Sequence, residues 1–172
     1  MYSFTNGFSG YHQIRIAKED RHKTTFVIEW GFFQYIVIPF GLKNGPVVFA
    51  RVVVVTFKYF IHKFLQVYMD DWTVYRLIKD HLENLRLMLE RCRQHQIALN
   101  SKKCIFCTPF GIVLGHIICK QGILVDPMKI VLILSLCPPT NMKMLHATLG
   151  CIVYYHKFIR GYATITNPWR NY

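Results

Sequence analysis

Two adjacent aspartates interrupt an otherwise apolar, β-forming run, and they constrain the fold more than any other feature of this sequence. The run is LQVYMDDWTVY, residues 65–75, with Asp70 and Asp71 near its centre. Apolar residues on both sides favour two strands, so the aspartates are expected at or near the tight turn that joins them. One interpretation is an ordinary hairpin turn. The other is a divalent-cation site, because Mg²⁺ is held by one or two carboxylates together with substrate phosphates.

The net charge of the chain indicates a polyanionic partner. Lys and Arg outnumber Asp and Glu by 21 to 9, which gives a formal net charge of +12 over 172 residues. A surplus of this size attracts nucleic acid, although ribosome-associated and membrane-surface proteins share it. Nucleic acid fits this composition best. The hydrophobic content of 52% is enough to bury a core, in one domain or in a piece of a larger protein.

Membrane and secretion signals are not expected. The longest apolar stretches, residues 52–57 and 130–136, fall far short of the roughly 20 residues that a spanning helix needs. The N-terminal residues lack a basic segment followed by an apolar one. The sequence therefore predicts an intracellular protein, with its six cysteines reduced and no membrane partner.

Four of the side chains in one segment have the ligand types of a zinc site. Cys104, Cys107, His116 and Cys119 are spaced as C-x2-C-x8-H-x2-C. The flanking residues are typical of strand interiors, and the spacing matches no common zinc module. Buried cysteines without a ligand are the alternative, which is the usual state of free cysteine.

The first half of the chain predicts strands and one ambiguous segment. Residues 11–37 alternate and contain β-branched and aromatic residues broken at Gly31, which favours a hairpin. Asn44 and Pro46 are typical of the start of a helix. The segment that follows contains four consecutive valines, residues 52–55, which favour a strand by local propensity. The sequence therefore leaves two alternatives for this segment, a helix and a strand.

The second half predicts helices around short strands. From Asp80 the sequence favours an amphipathic helix, with Glu83 completing a capping box. Its predicted apolar face is Leu82, Leu85, Leu89 and Cys92. Short strands are expected over residues 97–125, then a helix opened by Asp126 and Pro127, and two further helical pieces. The order of elements is that of an α+β fold with antiparallel pairing.

Four motifs together resemble the reverse transcriptases of gypsy-class LTR retrotransposons. They are FSGYHQI (residues 8–14), PFGLKNGPVVFAR (39–51), YMDD (68–71) and LGHIICKQGILVDPMKI (114–130). They occur in the order and at the spacing of that family. The resemblance covers nearly the whole chain, from about residue 4 to residue 162.

The resemblance implies a polymerase right hand of the α+β class, with an antiparallel palm sheet and flanking helices. Residues 1–122 would form the palm with a residual fingers hairpin at about residues 12–37, and residues 123–172 a partial helical thumb or connection. Most of the fingers, and the RNase H and integrase regions, are expected to be missing, as in a decayed copy of such an element.

The resemblance also implies a role for each matching residue. Asp70 and Asp71 would hold Mg²⁺ or Mn²⁺ ions, two of which align a primer 3′-hydroxyl with an incoming deoxynucleoside triphosphate. Tyr11 matches the aromatic residue under the sugar that excludes a 2′-hydroxyl. The other matches are Phe40 in the nucleotide pocket, Gly41 near the template, Lys102 or Lys103 near the triphosphate, and the primer-gripping hairpin Leu114, Gly115 and His116.

Each of these assignments has a structural alternative. Tyr11 and Phe40 are compatible with ordinary core aromatics. The Lys102 and Lys103 pair is compatible with a solvated basic edge. His116 is compatible with a core histidine that has one backbone partner.

One position departs from the family in a way that bears on activity. The third catalytic aspartate of the family lies on the first palm strand, four residues before the glycine of SGY, and this chain has Asn6 there. An amide offers one neutral oxygen where the site needs an anion shared between two metal ions. Losing that charge is expected to cost on the order of several kcal/mol of transition-state stabilisation. We therefore expect little or no polymerase activity.

Two functional classes follow from the sequence. The first is an RNA-directed DNA polymerase domain fragment that acts on an RNA template and DNA primer but is catalytically impaired. The second is a basic nucleic-acid-binding remnant of a retrotransposon without catalysis. A cytoplasmic particle and the nucleus are both compatible locations.

Overall fold

The computed structural model describes residues 1–169, and the chain forms two compact units. The first unit runs from Met1 to Pro109 and the second begins at Phe110. The boundary between palm and thumb that the resemblance implies after residue 122 divides the chain by function and not by compactness. It stays a prediction. No helix within residues 1–169 has the length and apolar character needed to cross a bilayer.

The first unit contains six strands and two long helices. In chain order they are β1 (Tyr2–Asn6), β2 (Phe26–Ile28), β3 (Gly31–Phe33), helix α1 (Gly45–Phe57), β4 (Leu65–Tyr68), β5 (Asp71–Tyr75), helix α2 (Ile78–Gln94) and β6 (Ile105–Thr108). Short 3₁₀ segments lie at Gly10–Gln13 and Lys18–Thr24. The expected α+β class is confirmed.

A four-stranded antiparallel sheet in the order β4-β5-β1-β6 organises this unit. Residues directly opposite each other on paired strands lie on the same face. Thr5 is opposite Trp72, and Asn6 is opposite Asp71. One face therefore has Thr5 and Trp72, while the other has Asn6 and Asp71.

Both long helices cover the first of these faces. The residues of this core are Phe49, Val53 and Phe57 from α1, Leu65, Trp72 and Val74 from the sheet, and Leu85, Met88 and Cys92 from α2. Burying one face in this way leaves the opposite face, with the two polar residues Asn6 and Asp71, outside the helix-covered core. The core thus fixes the strand ends from which these side chains project.

The segment with four valines is helical. Phe49, Val53 and Phe57 are spaced four residues apart, so α1 buries one continuous stripe. Only Val53 of the four valines is buried, and its three neighbours are exposed. Burial of that stripe outweighs the local β-propensity. Asn44 lies at the predicted N-cap position, although its side chain makes no capping hydrogen bond.

Helix α2 begins two residues before the predicted start, and the predicted capping box is wrong. Leu77 is the N-cap residue, and Asp80 lies inside the first turn. Glu83 instead bonds Arg86, whose Nη2 lies 2.7 Å from its Oε1. The exposed Glu83 thus forms an ion pair with Arg86 on the surface of α2.

The predicted apolar face of α2 is also partly wrong. The buried residues are His81, Leu85, Met88 and Cys92, whereas Leu82 and Leu89 are exposed. Two of the four buried positions come one residue before the predicted ones, so the buried face is rotated by about half a residue, roughly 50°, from the orientation that the leucines favour. The cause is the burial of His81, whose ring has a hydrogen-bonding partner in the sheet.

That partner is Ser3 on β1. The two side chains meet with 2.8 Å between Ser3 Oγ and His81 Nε2, and the backbone N–H of Cys107 donates to the same oxygen at 3.0 Å. His81 is 1% exposed, and its Nδ1 has no hydrogen-bond partner within residues 1–169. Burial lowers the pKa of His81, and the N-terminal amine lowers it further.

We expect this histidine to make stability depend on pH. The unfolded chain binds a proton at His81 below about pH 6.5, while the folded state resists protonation because its pKa is lower. The free energy of unfolding should therefore fall as pH drops from about 6.5 toward the folded-state pKa. Urea unfolding at about pH 7.5 and 5.5 measures this change. His81→Phe should reduce the pH dependence, and replacing the exposed His95 by Gln should not; equal dependence in both variants would contradict the prediction.

The predicted hairpin within residues 11–37 is present as β2 and β3. Gly31 at its turn has a φ of +124°, which favours glycine. Residues 14–16 meet residues 36–38 through two backbone hydrogen bonds of 3.0 Å, which form an isolated antiparallel bridge and not the longer strands that the pattern predicts. The 3₁₀ segment Lys18–Thr24 between them is not predicted by the alternating pattern.

The second unit contains a three-stranded sheet followed by helices. The strands are β7 (Gly111–Val113), β8 (His116–Cys119) and β9 (Gly122–Val125), and the helices are α3 (Pro127–Leu134), α4 (Met142–Val153) and α5 (Tyr162–Thr166). The predicted start of α3 is confirmed, because the Asp126 carboxylate accepts from the Met128 N–H at 3.0 Å. Asn141 caps α4 in the same way, accepting from Met144 at 2.9 Å.

Candidate functional site

The turn between β4 and β5 presents the two aspartates. Met69 has a φ of +48°, and Asp71 is the first residue of β5. The buried Trp72 donates from Nε1 to the Met69 carbonyl at 2.9 Å. The N–H of Gly7, the residue directly after β1, donates to the Asp70 carbonyl at 2.9 Å. The core and the central strand therefore both hold this turn.

Asn6 and Asp71 are in direct contact. They are opposite each other on β1 and β5, and the Asn6 Nδ2 donates to Asp71 Oδ1 at 2.7 Å. Asn6, the position at which the resemblance implies an aspartate, therefore lies next to the paired aspartates in space. Here it supplies a hydrogen-bond donor instead of a third negative charge.

Asp70 is in a less favourable environment for a carboxylate. Its Oδ1 is buried and accepts no hydrogen bond from any residue within the described range 1–169. Burial raises the pKa of Asp70, the charge of Asp71 raises it further, and the positive charge of Lys103 acts in the opposite direction. A buried oxygen without a donor and a like charge beside it are both relieved by a bound cation.

Replacing Asp70 by asparagine is expected to stabilise the fold. The substitution removes a partly desolvated charge and its repulsion from Asp71, while it keeps the shape of the side chain. The free energy of unfolding at neutral pH should rise, as measured by urea denaturation.

Asp126→Asn provides the matched control. Asp126 caps α3 with a carboxylate oxygen, and asparagine caps helices about equally well, so the change in stability should stay within a few tenths of a kcal/mol. A loss of stability in Asp70→Asn would show that the carboxylate is satisfied in the folded chain, contrary to the environment described here.

The segment from Ala98 to Lys103 is tied to the end of β1 and carries both candidate lysines. Phe8 donates to the Ala98 carbonyl at 3.0 Å, and the Asn100 N–H donates to the Asn6 carbonyl at 2.8 Å. Asn100 in turn accepts from the backbone N–H groups of both lysines. The lysine side chains are exposed, and the charge of Lys103 acts on Asp70.

Tyr11 and Phe40 form one aromatic group. Their ring centroids are 5.2 Å apart in an edge-on arrangement, and Tyr11 also contacts Phe49 of α1 at 6.0 Å. Phe40 is 64% exposed, so the alternative of an ordinary core aromatic is wrong for it. Tyr11 is partly buried and borders the core. The group therefore reaches from the core to the surface.

Gly10 and Gly41 are required by local geometry. A Cβ on Gly10 would lie 2.5 Å from the Phe49 ring, so only glycine allows the 3₁₀ segment with Tyr11 to approach α1 this closely. Gly41 has a φ of +99°, which other residues rarely adopt, and a Cβ added there would meet no other atom within 4 Å. The loop beside Phe40 thus leaves room for another molecule close to the backbone of Gly41.

Sequence reasoning missed two side chains in the SGYHQI motif. Gln13 bridges the 3₁₀ segment to residue 98, accepting from the Ala98 N–H at 2.8 Å and donating to the Ala98 carbonyl at 3.1 Å, and it also donates to the Phe8 carbonyl. His12 contacts the Phe40 ring with 4.9 Å between centroids. Their only sequence signal is their position within a recognised motif.

In the second unit, Leu114 and Gly115 form the turn between β7 and β8, and His116 is the first residue of β8. Leu114 and Gly115 both have positive φ, at +50° and +71°. His116 Nδ1 lies 3.1 Å from the Leu114 carbonyl. The His116 ring also contacts aromatic rings that follow α4, so it has the surroundings of a partly buried histidine with one backbone partner.

The zinc interpretation receives no support. Within residues 1–169 no three His, Cys, Asp or Glu side chains come together in a way that could hold a metal ion. Cys107 is exposed, and Cys104 and Cys119 are partly exposed, so the alternative of fully buried thiols is also wrong for these three residues.

A family model described as "Reverse transcriptase (RNA-dependent DNA polymerase)" matches residues 1–145. Among Drosophila melanogaster sequences, the chain is 37% identical to the retrovirus-related Pol polyprotein from transposon opus over 164 residues, which is 95% of this chain and 16% of that protein. It is 31% identical to the corresponding polyprotein from transposon gypsy, covering 93% of this chain and 16% of that one. The chain therefore spans about one sixth of the length of these relatives.

Solved structures share the fold. The foamy viral protease-reverse transcriptase in complex with double-stranded DNA superimposes with a TM-score of 0.90 at 22% identity, covering 99% of this chain and 30% of that one. The same viral protein in complex with an RNA/DNA hybrid gives a TM-score of 0.84, also at 22% identity, covering 99% of this chain and 23% of that one. The partial polymerase architecture expected from the motifs is confirmed.

Proposed function

Because the chain belongs to the reverse transcriptase family, we propose that it is a fragment of an RNA-directed DNA polymerase of an LTR retrotransposon, impaired in catalysis by Asn6. The single observation that carries the proposal is the contact between Asn6 and Asp71 beside Asp70. This contact brings together three positions that match the family, Asn6, Asp70 and Asp71. Asn6 is the one among the three whose chemistry differs from the family's residue.

The oxygen donors at this strand end fit a hard divalent cation. Asp70 and Asp71 would hold Mg²⁺ or Mn²⁺, and the buried Asp70 Oδ1 supports this assignment because it has no donor within residues 1–169. When bound, such ions supply stabilisation of the attacking and leaving oxygens in nucleotidyl transfer. Two carboxylates and an amide give one negative charge fewer than the family's set.

Asn6 weakens the site in two ways. It lacks the negative charge of the family's residue, and its Nδ2 donates to Asp71 Oδ1. This hydrogen bond occupies one acceptor site of that oxygen and draws its electron density away from a cation. Removing one electrostatic stabiliser of a transition state typically lowers the rate by about 10²–10³-fold.

The remaining residues would bind and orient the nucleotide. Tyr11 supports the sugar from the core side and excludes a 2′-hydroxyl, while the exposed Phe40 lines the pocket. Gly41 allows the template backbone to approach. Lys102 or Lys103 neutralises the triphosphate, and Lys103 also acts on the charge of Asp70.

A primer and template duplex is the proposed macromolecular partner. The net charge of +12 supports binding to the phosphate backbone. The viral proteins with the same fold are described in complexes with double-stranded DNA and with an RNA/DNA hybrid. For this chain the duplex, the RNA template and the deoxynucleoside triphosphates are proposals.

Primer extension on an RNA template, with Mg²⁺ and with Mn²⁺, tests this function. Weak extension that Asp70→Ala abolishes would support it. Asp20→Ala, which makes the same charge change at an exposed residue paired with Lys23, should leave extension unchanged. Extension that survives Asp70→Ala would contradict the proposed role of the paired aspartates.

The second candidate is a nucleic-acid-binding remnant without catalysis, and Asn6 is the observation that favours it. It predicts that duplex binding weakens steeply with salt, since each phosphate contact releases counterions. Such binding without any extension, in the natural chain and under both metals, would favour the remnant over the polymerase.

A further inference from the structure

The turn Leu114–Gly115 in the second unit adopts an unfavourable backbone conformation. Both residues are left-handed, with φ values of +50° and +71°. Glycine tolerates this region, but a leucine there is strained and persists only where neighbouring groups hold it. The contacts of the turn show which groups those are.

Three donors converge on the two carbonyls of this turn. The Tyr154 hydroxyl and His116 Nδ1 both reach the Leu114 carbonyl, the latter at 3.1 Å. The Tyr155 hydroxyl donates to the Gly115 carbonyl at 3.2 Å. Because a carbonyl only accepts, the His116 Nδ1 has to carry its proton in this arrangement. Both tyrosines immediately follow α4, so they connect the turn to that helix.

Apolar packing around the turn is incomplete. A cavity of about 330 Å³ lies beside it, bounded by Leu114, Gly115, Tyr154 and Tyr155 on one side. The other lining residues belong to α3 and α4 or lie next to them: Lys129, Leu132, Ile133, Gly150 and Cys151. Because side chains do not fill this pocket, the turn has fewer packing contacts there and depends more on its hydrogen bonds.

The Tyr155 contact is the more enclosed of the two. Tyr155 is 7% exposed, and burial raises the pKa of its hydroxyl, which keeps the group protonated as a donor. A Cβ on Gly115 would lie 3.1 Å from that hydroxyl oxygen. The positive φ favours glycine at position 115, and a side chain there would also push the Tyr155 hydroxyl away by a few tenths of an ångström.

We propose that Tyr154 and Tyr155 are positioning residues that hold the Leu114–Gly115 turn in the conformation that receives the primer strand. His116 serves the same purpose, because its ring contacts Tyr154, Tyr155 and Phe158 and so faces the chain's own aromatic residues. The exposed side chain of Leu114 and the backbone of the turn are left as the contact surface. This inference rests on the proposed function, which includes a primer and template duplex, and on the family resemblance, which implies that this turn grips the primer.

Phenylalanine substitutions of the tyrosines test the proposal in the full 172-residue chain. Tyr154→Phe and Tyr155→Phe keep the rings and remove only the hydroxyls. Amide hydrogen exchange at Val113 and His116, the pair that closes the hairpin, should accelerate about fivefold in each variant. Affinity for an RNA/DNA primer and template duplex should weaken by a similar factor, most strongly in the double variant.

Tyr162→Phe is the matched control, since Tyr162 contacts His156 through its ring and lies on α5. It should change neither measurement. Unchanged exchange at the hairpin in the double variant would overturn the tyrosine restraint. Faster exchange with unchanged duplex affinity would support the restraint and overturn the assignment of this turn to the primer. In a third arm, Leu114→Asn added to the double variant should slow exchange again, because asparagine tolerates left-handed backbone; no recovery would contradict the strain argument.

Discussion

The Asn6→Asp variant is expected to bind Mn²⁺ at least about tenfold more tightly than the natural chain, and to be less stable when divalent cations are removed. A third carboxylate beside Asp70 and Asp71 adds an anionic ligand for the cation. The same charge repels the other two when no cation is bound, and the hydrogen bond from Asn6 to Asp71 is lost. The variant should therefore gain a cation-dependent increase in its unfolding temperature.

Electron paramagnetic resonance of free Mn²⁺ measures the affinity, and thermal unfolding with and without Mn²⁺ measures the stability. Asn141→Asp is the matched control, because it adds the same charge at a helix cap where aspartate accepts the same hydrogen bond. It should leave Mn²⁺ affinity unchanged. Primer extension should rise by about 10²-fold in Asn6→Asp if the missing charge limits the reaction. Equal Mn²⁺ affinity in the natural chain and Asn6→Asp would contradict the proposal that Asn6 weakens cation binding.

The second large effect is expected from Trp72→Ala. Trp72 is fully buried between the sheet and α1, with its ring 5.2 Å from that of Phe57. Removing such a side chain leaves a cavity and typically costs about 3–5 kcal/mol. Because whole domains are stable by only about 5–15 kcal/mol, this single change should remove a large share of the free energy of unfolding.

The same substitution also removes the indole hydrogen bond to the Met69 carbonyl, in the turn that contains Asp70. Urea unfolding measures the loss of stability. Trp30→Ala provides the control, since Trp30 is 82% exposed and its removal should change stability by less than about 0.5 kcal/mol. Similar effects of the two substitutions would show that the helix-covered face of the sheet is not the main core of the first unit.

Motifs predicted more of this protein than local propensity did. The hairpin at Asp70 and Asp71 follows from its apolar flanks, and the start of α3 follows from Asp126 and Pro127. Both signals are local, because a turn or a cap depends on a few neighbouring residues. The identity of the family likewise follows from motif order, and it is confirmed by the match over residues 1–145.

Tertiary packing decided the elements that sequence patterns left open or assigned wrongly. The valines at 52–55 favour a strand, yet α1 forms because Phe49, Val53 and Phe57 bury one helical stripe. In α2 the leucine pattern indicates a face that includes Leu82. The structure buries His81 instead, because Ser3, 78 residues away in the chain, offers it a hydrogen bond. Such a partner has no signal in the sequence around His81.

The geometry of the candidate site was predictable only in part. Motif order implies that position 6 lies near the aspartates, and Asn6 does contact Asp71. It does not imply the direction of the amide, the bonds from Gln13 to Ala98, or the Asp70 oxygen that accepts no hydrogen bond from residues 1–169. These depend on long-range backbone contacts such as that between Asn100 and Asn6. The catalytic and binding roles themselves stay predictions until the experiments above are made.

The central place of β1 in its sheet has a consequence for how the chain acquires its shape. Tyr2–Asn6 pairs on one side with Asp71–Tyr75 and on the other with Ile105–Thr108. During synthesis the residues of β1 must wait for partners made roughly 70 and 100 residues later. Loop closure over such separations slows folding. In a nascent chain stalled before residue 105, the edge of β1 that pairs with β6 should therefore stay unpaired. Chaperones or another nascent chain should then bind this edge.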